Sequence, residues 1–503
     1  MRALLDTNIL IHREAATVVR EDIGTLFQWL DRLNVEKWIH PVTIEEIEGH
    51  EEERIRRSFA AKLASYRTIL APAALAVEVE TLGAEVDRTV NDQRDTLILN
   101  EVFVGHADVL ISEDRGIAKK AARLGVADRV FTIDAFLEKV TAENPSLVDY
   151  RVLSVRKMFF GNVNIADPFF DSFRAEYDGF DRWFARKSQE PAYVCFAGQG
   201  VVAFLYLKVE DQREPYPDIV PTFVARRRLK IGTLKVELNG FKLGERFLKV
   251  VFDNALVQRV DEIYVTIFPR SVLQQRLIQL LEDFGFYLHG EKRNSYGTER
   301  VYARDMTSRF DADEPCKTFP FVGRSARVFL VPIYPEYHTE LLPDSILKTE
   351  SPVDFVEQFP HRNAIRKVYV SRSIFRGLRP GDTVIFYRTG GKYKSVVTTL
   401  GIVEAIHVDI RDEEQFIRLC RQRSVFTDEE LRKHWHYRSA NRPFVVDFLY
   451  AYSFPRRPNM EALIEHGVIR DVESAPRGFE QITAAQFNAI LRLSQTDPRV
   501  VVD

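Results

Sequence analysis

Hydrophobic residues in the first 140 positions alternate between short runs and longer amphipathic stretches. Apolar runs at 3–5 and 9–11 flank a polar turn, and the runs at 109–111 and 130–133 are typical of buried strands. Apolar residues at helical spacing predict further helical stretches at 23–33, 51–82 and 117–124. Strands that alternate with helices favour a parallel α/β sheet.

The rest of the chain shows two other patterns. The first predicts strands at 193–197 and 201–207 and helices at 243–259 and 271–284. The second is richer in short strands, which we predict at 327–331, 367–370, 383–387 and 396–405. These patterns indicate a second α/β domain, followed by a small β-barrel with helices. We therefore expect an α/β multidomain protein with domains at 1–140, 150–306 and 325–495.

Composition agrees with several soluble domains and limits the classes of partner. The length of 503 residues fits about three domains. With 70 Lys and Arg against 73 Asp and Glu, the net charge is -3, so any surface for nucleic acid must be local. The three cysteines lie far apart, which argues against a disulfide framework and favours a cytoplasmic protein. No apolar run reaches the roughly 18 residues of a membrane span.

Four acidic residues in the first domain lie where strands end or helices begin. Asp6 follows the strand at 3–5, Asp114 follows the strand at 109–111, and Glu46 and Asp95 lie at predicted helix starts. Strand ends of a parallel sheet share one edge, so these carboxylates can converge there. Converging carboxylates repel unless a cation neutralises them, and hard oxygen ligands suit Mg²⁺ or Mn²⁺. Such an ion can activate water and stabilise the leaving oxygen of a phosphodiester.

Three segments around these acids resemble those of PIN domains: LLDTNIL at 4–10, IEEI at 44–47 and ISEDRGI at 111–117. The resemblance covers residues 1–138. PIN domains are largely Mg²⁺- or Mn²⁺-dependent ribonucleases and include many bacterial toxins. The resemblance therefore implies a PIN-like parallel sheet, an endoribonuclease activity and an RNA substrate, with transfer RNA as the first candidate. It also implies an antitoxin-like inhibitory protein and a homodimer.

The PIN resemblance also implies roles for individual residues. The four acids would bind the metal and carry catalysis, and nearby polar side chains would support them: Thr7, Asn8, Ser112 and Glu113. Glu45 is an alternative to Glu46, which precedes an apolar residue as in the family pattern. Asp92 is an alternative to Asp95, which precedes an apolar helix.

The central domain resembles GNAT acetyltransferases in the segments LKVELNGFKLGER at 234–246 and LEDFGF at 281–286. In that fold, a loop between a strand and a helix cradles the pyrophosphate of acetyl-CoA, and the helix dipole adds to the attraction. The implied cofactor-binding residues are Asn239, Gly240, Lys242, Gly244 and Glu245. The sequence departs from the family pattern because Lys242 takes the place of the first loop glycine. A basic run nearby is a candidate nucleic-acid surface: Arg226, Arg227 and Arg228.

The third domain resembles PUA-like domains, including the ASCH and EVE groups. The resemblance lies in SIFRGLRPGDTVIFYR at 373–388 and GIVEA at 401–405. These families commonly bind RNA or modified bases. Basic and aromatic residues are mixed farther along, where cations can meet phosphate and aromatic rings can stack on bases. The predicted nucleic-acid contacts here are Lys433, Trp435, Tyr437 and Arg438.

Together these patterns predict a metal-dependent, toxin-like ribonuclease whose GNAT-like and PUA-like domains serve targeting or regulation. The alternative is an acetyl-CoA-dependent N-acetyltransferase that acts on RNA-linked or protein amines, with the PIN-like domain as a binding module. A protein with both activities is a further form of that alternative.

Overall fold

The computed structural model describes the chain apart from residues 16–20, 52, 134, 138–154, 198–199, 238–242, 307–308, 343–363, 391–394 and 422. Contacts within the chain divide it into two compact units, Met1–Asp149 and Tyr150–Asp503. The second unit contains both the central and the third predicted domains. In the part of the chain that is described, no helix is long and apolar enough to cross a membrane.

The first unit alternates strands and helices. Its elements are β1 (Arg2–Leu5), α1 (Thr7–Ala15), α2 (Glu21–Arg32), β2 (Glu36–Ile39), α3 (Pro41–Glu48), α4 (Glu53–Lys62), β3 (Arg67–Thr68), α5 (Val77–Val86), α6 (Val90–Phe103), β4 (Val109–Ile111), α7 (Arg115–Arg123) and β5 (Val130–Phe131). The strands form one sheet in the order β3-β2-β1-β4-β5, and each neighbouring pair is parallel. The expected parallel sheet is therefore present, although the apolar run at 9–11 lies in α1.

Both faces of this sheet are buried. Along β1, Ala3 and Leu5 belong to one cluster of buried side chains, whereas Leu4 lies in another together with Leu110 of β4. Successive residues of a strand point to opposite faces, so a sheet covered on both sides needs continuously apolar strands. Polar side chains begin where β1 and β4 end. This places the acidic candidates of these two strands at the carboxyl edge of the sheet.

The second unit begins with a mixed sheet. Its elements are β6 (Val155–Phe159), α8 (Asp171–Glu176), α9 (Phe180–Arg186), β7 (Pro191–Ala197), β8 (Gly200–Glu210), β9 (Ile219–Val220), β10 (Arg228–Val236), α10 (Leu243–Val257), β11 (Glu262–Ile267), α11 (Val272–Asp283), β12 (Tyr287–Asn294) and β13 (Gly297–Asp305). The strand order is β6-β7-β8-β10-β11-β13-β12-β9. Strands β10 and β11 are parallel, and the other neighbouring pairs are antiparallel.

The same unit contains a second large sheet and several helices. The elements are α12 (Pro315–Thr318), β14 (Val322–Gly323), β15 (Val328–Ile333), α13 (Pro335–Leu341), β16 (Arg366–Ser371), β17 (Thr383–Arg388), β18 (Val396–His407), α14 (Glu413–Cys420), α15 (Asp428–His436), β19 (Phe444–Ser453), α16 (Met460–Glu465), β20 (Glu480–Ile482), α17 (Ala484–Leu493) and β21 (Val501–Val502). Six strands form a sheet in the order β16-β19-β18-β17-β15-β20, and β14 pairs with β21.

The described strands of this second sheet do not close into the β-barrel that we expected. The strands β16 and β20 are its two edges. These edges approach each other through side chains, since the rings of Tyr369 in β16 and Phe479 near β20 lie 5.8 Å apart. The sheet is therefore strongly curved. The described strands show no backbone pairing between β16 and β20, so the contact between their edges is made by aromatic side chains.

Candidate active site

Asp6 lies at the point where the ends of β1 and β4 meet. Its N–H donates to the carbonyl oxygen of Ile111 at 3.1 Å, and the residue is 3% exposed. The carboxylate accepts hydrogen bonds from the Thr7 N–H at 2.7 Å and from Asn8 Nδ2 at 2.7 Å. It accepts a third from Ser112 Oγ at 2.5 Å. Three residues that the sequence suggested as supports thus hold this side chain in one orientation.

The electrostatic environment of Asp6 opposes ionisation. Burial raises its pKa to about 6, and the hydrogen bonds from Ser112 and Thr7 limit that rise. The negative charges of Asp114 and Glu46 make a smaller contribution to this raised pKa. The acids predicted from three separate segments therefore lie close enough to influence one another.

Asp114 is positioned by the turn between β4 and α7. Its Oδ1 accepts hydrogen bonds from the N–H groups of Gly116 at 2.6 Å and Ile117 at 3.0 Å, so it caps the start of α7. Its own N–H donates to Ser112 Oγ at 2.9 Å. One serine hydroxyl therefore connects Asp114 with Asp6. Capping uses one carboxylate oxygen of Asp114 and leaves the other outside the cap.

Glu113, the neighbouring acid, has a different role in the turn. Its Oε1 accepts a hydrogen bond from the N–H of Ile133 at 2.8 Å, and its N–H donates to Asn8 Oδ1 at 3.3 Å. Through these two hydrogen bonds, Glu113 contacts the segment that follows β5 and helps to position the side chain of Asn8. This is a positioning role.

The structure distinguishes Glu46 from Glu45. Glu46 is half-buried, and its Oε2 accepts a hydrogen bond from Thr7 Oγ1. Arg94 Nη1 lies 3.4 Å from Glu46 Oε1. Glu45 is exposed on the same helix α3. Glu46 is therefore the acid of this pair that faces Asp6.

Asp95 and Asp92 are also distinguished by their partners. Asp92 belongs to the cap of α6, where its Oδ2 accepts hydrogen bonds from the N–H groups of Thr89 at 2.8 Å and Arg88 at 2.9 Å. Asp95 lies one turn farther along. Burial raises the pKa of Asp95 to about 8, and the negative charges of three carboxylates raise it as well: Asp6, Asp114 and Glu46. Asp95 is therefore the member of the pair that belongs to the cluster.

A buried lysine beside the cluster was missed by the sequence analysis. Lys120 Nζ lies 2.6 Å from Asp87 Oδ1 and donates to Thr96 Oγ1 at 2.9 Å and to the Asp92 carbonyl oxygen at 2.5 Å. Its charge lowers the pKa of Asp95. The available signal was its position in α7, because it lies three residues after the buried Ile117 on the apolar side of the helix.

The donor set has the chemistry of a site for Mg²⁺ or Mn²⁺. All four side chains are carboxylates and the cluster lacks cysteine and histidine. Burial, together with the charges of neighbouring carboxylates, raises the pKa values of Asp6 and Asp95. Within the described residues, however, no three acidic, histidine or cysteine side chains are arranged so that they already hold one ion. Binding would therefore require the carboxylates to move closer together.

The predicted cofactor loop of the central domain lies largely outside the described residues, including Asn239, Gly240 and Lys242. Gly244 is described, in the first turn of α10. A Cβ atom built at Gly244 would lie 2.8 Å from Leu280 Cδ2 of α11, so a larger residue here would require Leu280 to move.

The side chain of Glu245 contacts residues at the start of β16, in the second large sheet of this unit. It is buried, and its Oε2 accepts hydrogen bonds from the N–H groups of Ile365 at 2.9 Å and Arg366 at 3.0 Å. Its Oε1 lies 3.7 Å from Arg366 Nη1. These contacts join the start of α10 to the start of β16. They correct the expectation that Glu245 faces a cofactor.

The parallel strands β10 and β11 separate toward their carboxyl ends. Their pairing runs from Arg228 opposite Glu262 to Ile231 opposite Val265. Strand β10 then continues beside β8 as far as Val236, and β11 continues beside β13. Helix α10 is the next described element after β10, and most of the residues predicted to bind the cofactor lie between the two, outside the described residues.

The basic run in the central domain is not a free phosphate-binding patch. Arg228 is 0% exposed, its Nε donates to Glu262 Oε2 at 2.6 Å, and its guanidinium carbon lies 4.1 Å from the ring centre of Phe223. Arg226 lies within 3.7 Å of Glu262 Oε1. Arg227 Nε donates to the carbonyl oxygen of Gln258, in the turn after α10, at 3.1 Å. The prediction for Arg228 was wrong because pairing of β10 with β11 buries it opposite a glutamate.

Of the predicted nucleic-acid contacts in the third domain, one is buried and the others are exposed. Trp435 is 6% exposed and stacks on Phe416 with ring centres 5.4 Å apart, so it is a core residue and the prediction for it was wrong. Lys433 is exposed, and its Nζ lies 2.7 Å from Glu429 Oε1. Tyr437 is 70% exposed, and Arg438 beside it is also exposed. Tyr437 and Arg438 are accessible to a ligand.

Comparison with known proteins finds distant structural likenesses. No family profile matches the sequence, and no curated protein matches it. An IAA acetyltransferase from Bacillus cereus is 16% identical, with 30% of this chain and 99% of that chain covered and a TM-score of 0.22. A GNAT family acetyltransferase from Elizabethkingia anophelis with acetyl-CoA bound is 10% identical over 31% of this chain and 99% of that chain, with a TM-score of 0.22.

Another solved structure with a similar degree of likeness is a complex with DNA. Human THYN1 protein in complex with 5-methylcytosine-containing DNA is 14% identical, with 34% of this chain and 100% of that chain covered and a TM-score of 0.22. Likeness of this degree does not define an activity.

Proposed function

We propose that the carboxylate cluster of the first unit is the active site of a divalent-metal-dependent ribonuclease. The observation that carries the proposal is the convergence of the carboxylates: Ser112 Oγ donates to Asp6 and accepts from the Asp114 N–H, and Thr7 beside Asp6 donates to Glu46. Burial and the charges of the neighbouring carboxylates also raise the pKa of Asp95 to about 8, and a bound cation would relieve this repulsion. A bound Mg²⁺ or Mn²⁺ would supply activation of water and stabilisation of the leaving oxygen of a phosphodiester.

The polar neighbours of the cluster would fix the carboxylates for this role. Ser112 and Asn8 donate to Oδ2 of Asp6, which leaves little freedom of rotation for that side chain. Thr7 donates through its hydroxyl to Glu46. Such hydrogen bonds orient metal-binding carboxylates, and their loss typically lowers activity or metal affinity about 10- to 100-fold.

RNA cleavage by matched variants tests this proposal. Purified protein is incubated with a mixed RNA pool and Mn²⁺, with EDTA in a parallel reaction. Glu46→Gln is compared with Glu45→Gln, because these neighbours differ in whether they face Asp6. We expect cleavage by wild type and Glu45→Gln, and a loss of about two orders of magnitude in Glu46→Gln. Cleavage that survives EDTA, or equal activity of the two variants, would contradict the proposal.

A second candidate function is acetyl-CoA-dependent acyl transfer by the central domain. The separation of β10 and β11, with α10 as the next described element after β10, favours it. Backbone N–H groups of such a loop and the start of the helix can bind the phosphates of a nucleotide cofactor. Lys242 would add a positive charge.

Calorimetry with acetyl-CoA tests the second candidate. Lys242→Ala should weaken binding about tenfold, whereas Arg227→Ala, at the opposite end of β10, should bind like wild type. Absence of heat with every protein would remove this candidate and leave the ribonuclease proposal untouched.

A further inference from the structure

Arg94 is a basic residue whose side chain contacts the carboxylate cluster directly. It lies in α6, immediately before Asp95, and its Nη1 is 3.4 Å from Glu46 Oε1. Among the described residues, no other basic side chain forms an ion pair with any of the four acids of the cluster. The buried Lys120 lies nearby, but its charge is paired with Asp87. Arg94 therefore has a position at the cluster that neither a structural ion pair elsewhere nor Lys120 shares.

The contact between Arg94 and Glu46 is a loose one. It joins one pair of atoms at 3.4 Å, whereas hydrogen bonds between a guanidinium and a carboxylate are usually about 2.7–2.9 Å long. Arg327, by comparison, donates to Asp382 through both Nε at 2.9 Å and Nη2 at 2.5 Å. The side chain of Arg94 is 33% exposed and has no other hydrogen bond or ion pair within the described residues. Most of its guanidinium donors are therefore free to bind a ligand.

The same contact competes with a divalent cation for Glu46. Both carboxylate oxygens of Glu46 have partners, since Oε2 accepts a hydrogen bond from Thr7 Oγ1 and Oε1 faces Arg94. The hydroxyl of Thr7 is neutral, and such a donor can remain beside a carboxylate that binds a metal. The guanidinium is a cation, so it repels a divalent ion at the same oxygen. Binding of Mg²⁺ or Mn²⁺ at Glu46 therefore requires Arg94 to leave Oε1.

The charge of an RNA substrate indicates where the displaced guanidinium would bind. Four ionised carboxylates repel a phosphodiester, and a single divalent ion offsets only half of their charge. Arg94 begins at the same turn of α6 as Asp95, and its long side chain can rotate without leaving the neighbourhood of the cluster. A guanidinium forms paired, charge-assisted hydrogen bonds with phosphate oxygens. A phosphate at the cluster would therefore supply the acceptors that Arg94 lacks.

We propose that Arg94 binds the reacting phosphate of the RNA, and that it pairs with Glu46 only until a divalent cation occupies that carboxylate. This inference rests on the ribonuclease proposed above and adds a substrate-binding residue to its site. The two contacts of one side chain lead to opposite expectations. Loss of the guanidinium should strengthen binding of the cation and should impair cleavage of the RNA.

Calorimetric titration of Mn²⁺ into the full chain, without RNA, tests the competition. Arg94→Gln removes the competing cation and should raise the affinity for Mn²⁺ about two- to fivefold, as expected for the loss of a partly exposed ion pair. Arg94→Lys keeps a positive charge and should raise the affinity less. Arg123→Gln is the matched control, because it removes one positive charge from an exposed pair with Glu85 in the same unit. This control should bind Mn²⁺ like wild type.

Steady-state cleavage of a labelled RNA at saturating Mn²⁺ tests the contact with phosphate. Arg94→Gln should lower kcat/KM about 100-fold, the order of loss expected when one donor to a reacting oxyanion is removed. Arg94→Lys lacks the paired donors and should recover only part of this activity. Arg123→Gln should cleave like wild type. Because Mn²⁺ saturates every protein in this assay, weaker metal binding cannot cause the loss.

The combined results separate this inference from the ribonuclease proposal. If wild type binds Mn²⁺ and cleaves RNA, an affinity for Mn²⁺ in Arg94→Gln that is equal to or below that of wild type would overturn this inference alone. The lower affinity would show that Arg94 only positions Glu46. Cleavage by Arg94→Gln at the wild-type rate would overturn it as well. A wild type that neither binds Mn²⁺ nor cleaves RNA would overturn both proposals.

Discussion

At the scale of single residues, Asp95 makes stability depend on pH. Its pKa is raised from 3.8 to about 8 in the folded protein, so the folded state keeps a proton that the unfolded state has released over that interval. Stability should therefore fall as pH rises from about 4 to about 8 in the presence of EDTA. Thermal unfolding of wild type across this range measures the fall.

Replacement of Asp95 provides the corresponding prediction. Asp95→Asn removes the ionisable group, so the first unit should become more stable than wild type by about 1–3 kcal/mol near pH 8 in EDTA. Asp92→Asn is the control, because an asparagine can still accept the capping hydrogen bonds of Thr89 and Arg88. A destabilised Asp95→Asn at that pH would show that the carboxylates are not crowded.

Thr7 gives a prediction about positioning. Thr7→Val removes the hydroxyl that donates to Glu46 and keeps the size of the side chain. Cleavage of RNA should fall about 10- to 100-fold while the thermal unfolding temperature stays close to that of wild type. Thr7→Ser keeps the hydroxyl and should restore most of the activity. Equal rates for Thr7→Val and Thr7→Ser would exclude this role.

Strand ends indicated two members of the acidic cluster, since Asp6 directly follows β1 and Asp114 lies three residues after the end of β4. Glu46 and Asp95 were chosen because the residues that follow them fit the pattern of PIN domains. The pairing of the buried Lys120 with Asp87 cannot be predicted from the residues next to either one. Lys120 meets Asp87 only because α7 packs near the start of α6, a contact that neither local segment encodes.

At the scale of elements, the start of α10 is fastened to the start of β16 through Glu245. Glu245→Ala would leave the N–H groups of Ile365 and Arg366 without their acceptor, and the second unit should lose about 2–4 kcal/mol of unfolding free energy. Glu245→Gln retains one acceptor oxygen and should lose less. Urea unfolding measures both, with Glu291→Ala as an exposed control. A loss in Glu245→Ala no larger than in the control would contradict the anchoring role.

Strands and helices were predicted better than the register between them. The apolar runs at 109–111 and 383–387 are strands, and the stretches at 243–259 and 271–284 are largely helical. Arg228, however, looked like part of an accessible basic run. Its burial follows from its position opposite Glu262 in the neighbouring parallel strand, and 34 residues separate the two in sequence. Local sequence carries no information about such a pairing.

At the scale of the whole molecule, the chain has two compact units, and the carboxylate cluster lies in the first. Each unit has buried cores of its own, so we expect two transitions in differential scanning calorimetry. Mn²⁺ should raise the midpoint of one transition and leave the other unchanged, because a ligand stabilises only the unit that binds it. The transition that moves should be the one that Asp95→Asn shifts. Equal shifts of both transitions would contradict a site confined to the first unit.

The most direct test of the central claim is the number of protons released when Mn²⁺ binds. With a pKa of about 8, Asp95 is largely protonated near pH 7, and a cation that binds the cluster must displace that proton. Calorimetric titration of Mn²⁺ in two buffers with different ionisation enthalpies gives the proton count. The account predicts binding by wild type with proton release, and a markedly smaller release in Asp95→Asn. Absence of Mn²⁺ binding, or the same proton count in both proteins, would contradict it.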